Sequence, residues 1–271
     1  MTATENAMTA RHGRGRIAAL AAGAVLAAAA TALAGLQLVD WTSGTVQQVE
    51  RHSFATGVQQ IRVLAGAGRI QLTGAPGGAV TVEGRLSGAV TVPRMSTVVR
   101  DGILFVDTSC GIQLWSCEAS LDLRVPAGIP VSARTGSGPI TATGLIAAAT
   151  LHTDSGSVRV DGTGGVLTLS TGSGDVDARR VTAGQVEAST GSGNVRVELD
   201  RTPEDVAVRT GSGNVEMILP VGSGPYATDF HTGSGTSRIG VPTDPAAARQ
   251  LRARTGSGNV VIRYPEPGDA D

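Results

Sequence analysis

The sequence predicts an all-β protein: a right-handed, single-stranded parallel β-solenoid (β-helix) of roughly 18–23-residue coils, preceded by one N-terminal transmembrane or signal helix. Three observations carry that prediction. A short phrase, Thr-Gly-Ser-Gly or a close variant, begins at Thr135, Thr153, Thr171, Thr190, Thr210, Thr232 and Thr255, at intervals of 18, 18, 19, 20, 22 and 23 residues. Alternating apolar columns flank every copy. An uncharged stretch from Ile17 to Val39 follows Arg11, Arg14 and Arg16 and stops at Asp40.

Residues 1–16 form a basic tail, expected in the cytoplasm because positive charge is retained on that side of a membrane. Residues 17–39 are long enough to span a bilayer. The alternative is a cleaved signal peptide, for which Ala32-Leu33-Ala34 is an acceptable processing site. Either way the expectation is a protein outside the cytoplasm: a single-pass membrane protein with its C-terminal domain extracytoplasmic, or a secreted one. Residues 40–60 are read as linker and cap, 61–264 as the solenoid and 265–271 as a polar tail.

Ile61 to Leu72 fits the repeat with Ala65 in the Thr position, so the array is expected to begin there as a degenerate coil. Short alternating runs follow at Val80 to Glu83, Val90 to Val92, Ile103 to Val106 and Leu121 to Val125. Cys110 and Cys117 lie between the last two. As the only two cysteines of a chain expected outside the cytoplasm, they are expected to form a disulfide around Gln113, Leu114 and Trp115. A zinc site there would lack two of its four ligands.

In the repeats, the positions two and four before the Thr are mostly apolar: Ala133, Leu151, Leu169, Ala188, Val208, Phe230 and Ala253, and Val131, Ala149, Leu167, Val186, Val206, Thr228 and Leu251. Five residues after it stand Ile140, Val158, Val176, Val195, Val215 and Val260, with Ser237 as the weak exception. Period-two alternation of this kind marks strands with one buried face. The Gly residues supply positive φ for the corner between them. The predicted structural corner comprises Thr135, Thr171, Thr190, Thr210 and Thr255, with Gly172, Gly174, Gly191, Gly193, Gly211, Gly213, Gly256 and Gly258. Outward residues six after the Thr read Thr141, Arg159, Asp177, Arg196, Glu216 and Arg238. The alternating sign argues for parallel stacking, which sets each Arg between carboxylates one strand spacing away.

A formal charge of −1 excludes a dominant attraction to nucleic acid, and the absence of Lys excludes Schiff-base chemistry. Asp175 and Asp177 could belong to a polysaccharide-cleaving β-helix. Asp175, however, shares its column with Asn194, Asn214 and Asn259, which predicts a side chain bonding its own turn. His152-Thr153-Asp154-Ser155 names nucleophilic-relay residue types, but consecutive side chains on a strand and corner are expected to diverge. Gly-Ser-Gly-Asp175 echoes calcium nonapeptides with too few carboxylates to hold the ion. An ice-binding Thr ladder is opposed by a parity that puts the Thr residues on the buried side, where their hydroxyls would bond the backbone.

The basic-flanked apolar segment, the degenerate first coil, the Cys pair before Val125-Pro126-Ala127-Gly128 and the TGSG-(D/N)-V repeats resemble the bacterial putative-adhesin family with β-strand repeats. The resemblance covers about residues 46–264. It implies a domain of unknown function, abundant in actinobacteria, related to the heads of autotransporter-like adhesins and found in cell-envelope stress proteins. It carries over no catalytic residues. The resulting expectation is a non-catalytic envelope interaction surface or scaffold, with no cofactor and no metal, an envelope protein or glycan as partner, and the membrane contacted through the N-terminal helix. The alternative is a carbohydrate-active β-helix enzyme, lyase or hydrolase. Carboxylates converging in a groove would favour the enzyme; flat faces of paired charges and hydroxyls would favour the scaffold.

Overall fold

In a computed structural model of the protein, the described residues are 37–39, 46–88, 92–109 and 117–266. They form strands and connections and contain no helix. The N-terminal strands are β1 (Gln37–Val39), β2 (Val46–Phe54), β3 (Gln60–Ala67), β4 (Ile70–Ala75), β5 (Val80–Gly88), β6 (Arg94–Arg100), β7 (Ile103–Ser109) and β8 (Cys117–Pro126). The repeats follow as pairs: β9 (Val131–Ser137) and β10 (Ile140–Thr143), β11 (Ala149–Ser155) and β12 (Val158–Asp161), β13 (Val166–Ser173) and β14 (Val176–Val181). Next come β15 (Gln185–Ser192) and β16 (Val195–Leu199), then β17 (Asp205–Ser212) and β18 (Val215–Ile218). The last two pairs are β19 (Ala227–Ser234) with β20 (Ser237–Ile239) and β21 (Gln250–Ser257) with β22 (Val260–Arg263).

Each repeat contributes one strand to each of two facing sheets, of twelve and ten strands. Between repeats the pairing is parallel and in phase with the repeated phrase: Thr153 opposes Thr135 and Thr171, and Val176 opposes Val158 and Val195. Alternate residues therefore stack into continuous apolar columns. Leu167, Leu169, Val176 and Ala178 are all fully buried, as are their counterparts in neighbouring coils. Burying a Val or Leu side chain contributes roughly 1.5–3 kcal/mol. A narrow core of small and β-branched residues explains why seven aromatic residues suffice for the whole chain.

Three ladders hold the corners. The Thr hydroxyls donate to a glycine carbonyl of the adjacent coil: Thr171 to Gly156 (2.8 Å), Thr190 to Gly174 (2.8 Å), Thr210 to Gly193 (2.9 Å) and Thr255 to Gly213 (2.9 Å). Thr135 reaches Gly68 at 3.4 Å. The glycine that closes each phrase has positive φ and lies against the backbone of the adjacent coil, so a Cβ on Gly213 would meet the Gly193 oxygen at 2.0 Å. The third ladder corrects an expectation. Asp175, Asn194 and Asn214 do not bond their own turns; their Oδ1 atoms accept from the backbone N–H of Asn194 (2.8 Å), Asn214 (2.9 Å) and Asn259 (2.9 Å), each one coil further on. Parallel stacking brings the next corner closer to the carboxamide than its own amide.

The order of the coils departs from the order of the chain at both ends. In space the described coils run β7/β8, β3/β4, β9/β10, β11/β12, β13/β14, β15/β16, β17/β18, β21/β22, β19/β20. The last repeat is thus inserted between its two predecessors, and the degenerate first coil lies inside the one formed by β7 and β8. Consequently Glu216 and Arg238 both oppose Val261 rather than each other. The reason lies in the sixth repeat, which has Thr228 and Ser237 at inward positions; the seventh, with Leu251, Val260 and Ile262, covers Val215 and Met217 with a dry face. The polar repeat is left as the outermost coil, where a solenoid needs a face that tolerates water.

Within the inner coils the charged column is in register, Arg159 beside Asp177, Asp177 beside Arg196 and Arg196 beside Glu216. Arg196 bonds Glu216 at 2.8 Å, while Asp177 is gripped by Arg179 on its own strand at 3.1 Å. Reversal of Arg196 to Glu is expected to lower stability by about 1 kcal/mol, less at high salt. Reversing Glu216 to Arg in that background should recover most of it in denaturant titrations; strictly additive effects would deny the contact.

The cap is antiparallel, unlike the array. Strand β2 pairs with β5, β5 with β8 and β6 with β7. Residues 46–54, read from the sequence as linker and cap, form a full strand because nine of them pair along β5. Gln37–Val39, read as the end of the apolar span, are strand β1 alongside β2; the rest of that span, residues 17–36, lies outside the described residues. Of the run Val90 to Val92, only Val92 is described, and it precedes β6. Cys117 opens β8 and is disulfide-bonded; Cys110 lies outside the described residues.

Candidate functional site

Two clusters of chemistry-bearing residues lie on the outer faces. The first is a groove of about 820 Å³ across β2, β5, β8 and β4, where the cap continues the twelve-stranded sheet. The outward residues Arg51, Glu83, Asp122 and Gln71 oppose one another in sequence across these strands. Two neighbouring carboxylates repel, and two arginines neutralise them. Arg51 Nε donates to Glu83 at 2.9 Å, and Arg85 bridges Glu83 at 2.8 Å and Asp122 at 2.6 Å. The hydrogen bond from Arg51 is the main cause holding the Glu83 carboxyl below its ordinary value. One residue pair further along, Ser53, Thr81, Arg124 and Thr73 form a second row across the same four strands.

Because Glu83 is depressed in the folded state, the stability it contributes is complete above the ordinary Glu range near 4.3 and is lost as pH falls through its lower folded value. Carboxyl NMR titration should find its midpoint below about 4.3, and Arg51→Gln should bring it upward. An unchanged midpoint in that variant would remove Arg51 as the cause.

The second cluster lies on the ten-stranded sheet. His152 Nδ1 is 2.7 Å from Ser170 Oγ, and His152 Nε2 is 2.8 Å from Asp154 Oδ1, which also accepts from Arg134 at 3.0 Å. His152 and Asp154 converge rather than diverge, since residues two apart share a strand face. The hydroxyl comes from Ser170 in the next coil, not from Ser155. That serine was legible in principle, standing 18 residues after His152 at the repeat interval. The trio lies on an open face, with the Asp154 side chain 54% exposed. The strands that carry it are paired with a parallel neighbour on both sides, so their backbone amides are engaged in ladder bonds rather than aimed at a reacting oxygen above the trio. The His152 hydrogen bond is the first cause of the lowered Asp154 carboxyl.

The other sequence candidates serve the fold. The corner threonines and glycines are spent on coil-to-coil contacts, Asp175 caps the Asn194 amide, and Asp177 is held by Arg179. Among the described residues no group of His, Cys, Asp and Glu could hold a metal ion.

A twin-sheet stack of Thr-Gly-Ser-Gly coils closed by an antiparallel cap defines a capped β-solenoid. The chain belongs to the Toastrack DUF4097 family, whose profile matches residues 109–263. No curated protein matches the sequence. Among solved structures it is similar to a putative adhesin from Bacteroides fragilis, at 13% identity over 79% of this chain and 96% of that one, with a TM-score of 0.41. It is also similar to a putative cell adhesion protein from Clostridium sporogenes, at 10% identity over 80% of this chain and 100% of that one, with a TM-score of 0.35. A putative adhesin from Parabacteroides merdae is 11% identical over 78% of this chain and 95% of that one, with a TM-score of 0.33.

Proposed function

We propose that this protein is a non-catalytic, adhesin-like binding scaffold of the cell envelope. In this reading the part of the apolar stretch that precedes β1, residues 17–36, tethers it to the membrane and the solenoid stands outside the cytoplasm; a secreted form is the alternative. The observation that carries the reading is the state of the groove carboxylates. A glycoside-cleaving site needs one carboxyl kept protonated at working pH, whereas Glu83 is held ionised by Arg51 and shares Arg85 with Asp122. What remains is a surface of paired charges and hydroxyls, suited to binding and not to protonating a leaving group. The partner in this reading is an envelope glycan or protein, and not nucleic acid.

The test is protease shaving of intact cells freed of wall, combined with sedimentation of the detergent-solubilised full chain with isolated cell-wall material. The expected result is digestion of the repeat region in intact cells and co-sedimentation with the wall. A repeat region protected until lysis, or a chain that ignores wall material, would overturn the proposal.

A further inference from the structure

We propose that the row Ser53–Thr81–Arg124–Thr73 in the cap groove binds the negatively charged groups of an acidic envelope polysaccharide, a uronate carboxylate or a phosphate ester. The inference rests on the adhesin-like reading above and gives it a site and a ligand class. Arg124 is exposed and, unlike Arg51 and Arg85 in the same groove, has no carboxylate partner among the described residues. Asp122, on the same strand face two residues earlier, is already taken by Arg85 at 2.6 Å.

Thr81 and Thr73 directly flank Arg124 on the adjoining strands β5 and β4, and Ser53 stands beyond Thr81 on β2. A planar guanidinium fork between hydroxyls one strand spacing away matches the oxygens of a carboxylate or phosphate. The neighbouring row is self-neutralised by Arg51 and Arg85, so it neither repels an anion nor competes for Arg124. Its Gln71 and carboxylate oxygens remain able to bond the hydroxyls of a sugar. Gly74, Ala75 and Pro76, which follow Thr73, also line the groove. A single exposed arginine binds a lone anion weakly; a sugar polymer held there by one charged group also brings its hydroxyls to the neighbouring row at high local concentration, which favours a polysaccharide over a free ion.

The test uses the full chain in detergent, sedimented with isolated cell-wall material in the presence of soluble polygalacturonate, poly(glycerol phosphate) or dextran. Arg124→Gln is compared with Arg238→Gln, an exposed arginine on the outermost coil at the far end. Losing one charge-assisted contact is expected to weaken wall binding about tenfold in Arg124→Gln, with Arg238→Gln unchanged and both melting as the wild type. Competition by polygalacturonate alone would identify carboxylates as the ligand groups, and by poly(glycerol phosphate) alone phosphates; dextran should not compete. Wall binding that survives Arg124→Gln, or that dextran removes as well as the acidic polymers do, would overturn the groove assignment while leaving the adhesin-like reading intact. A wild-type chain that binds no wall material would overturn both.

Discussion

Gly213→Val is expected to destabilise the protein by about 3 kcal/mol or more. The position has φ +145°, and a Cβ there would lie 2.0 Å from the Gly193 oxygen and 2.6 Å from its carbon. Both contacts are backbone held in a ladder, so no side-chain rotation relieves them, and the corner of a whole coil must lift. Lifting it also strains the 2.9 Å bond from Thr255 to the Gly213 carbonyl. For a domain of this size the loss corresponds to roughly 6–12 °C in melting temperature. Gly66→Ala is the control, because that glycine has an ordinary φ and no heavy atom within 4 Å of its prospective Cβ. Equal melting temperatures for the two variants would show that the corners do not stack as described.

Ending the chain after Arg249 should have a larger effect still, abolishing cooperative folding of the C-terminal half. In a solenoid whose coils follow chain order, removing the last coil only exposes the one before it. Here β21 is bonded to β17 on one side and β19 on the other, and β22 lies between β18 and β20. Its loss uncovers Val206, Val208, Val215 and Met217 and leaves β19 and β20 without a neighbouring coil. The measurement is limited proteolysis with urea unfolding. A truncated chain that keeps a single sharp transition with only a proportionate fall in m-value would mean that β19 and β20 simply close onto β17 and β18.

The coil itself was legible because its determinants are local and repeated. Each Thr-Gly-Ser-Gly phrase carries its own corner, and the two-residue alternation around it states which side is buried. Coil order was not legible in the same way, because parallel neighbours are chosen by the fit of apolar faces across connections long enough to skip a place. The signal present was negative: Thr228 and Ser237, polar at inward positions, mark a coil that cannot lie inside the stack. Alternating charge pointed correctly to Arg196 beside Asp177 and Glu216, then failed at Arg238 where the order changes. The groove was hidden for a related reason. Glu83 and Asp122 meet only because β5 runs antiparallel to β8, a pairing that no repeat announces. The His152–Ser170 contact needed the coil register, not the local tetrapeptide.

Division between special ends and uniform middle coils makes the molecule a ruler. From β9 to β18 every coil presents a corner threonine and, three residues later, a positive-φ glycine to its neighbours, so one such unit can be copied or deleted without creating a new kind of contact. Each unit added would lengthen the stack by about 4.8 Å and leave the antiparallel cap, its groove and the interleaved far end unchanged. On the groove assignment proposed above, reach and recognition are separable: the first is set by how many times a phrase is repeated, the second by the antiparallel cap strands where they meet the first coils.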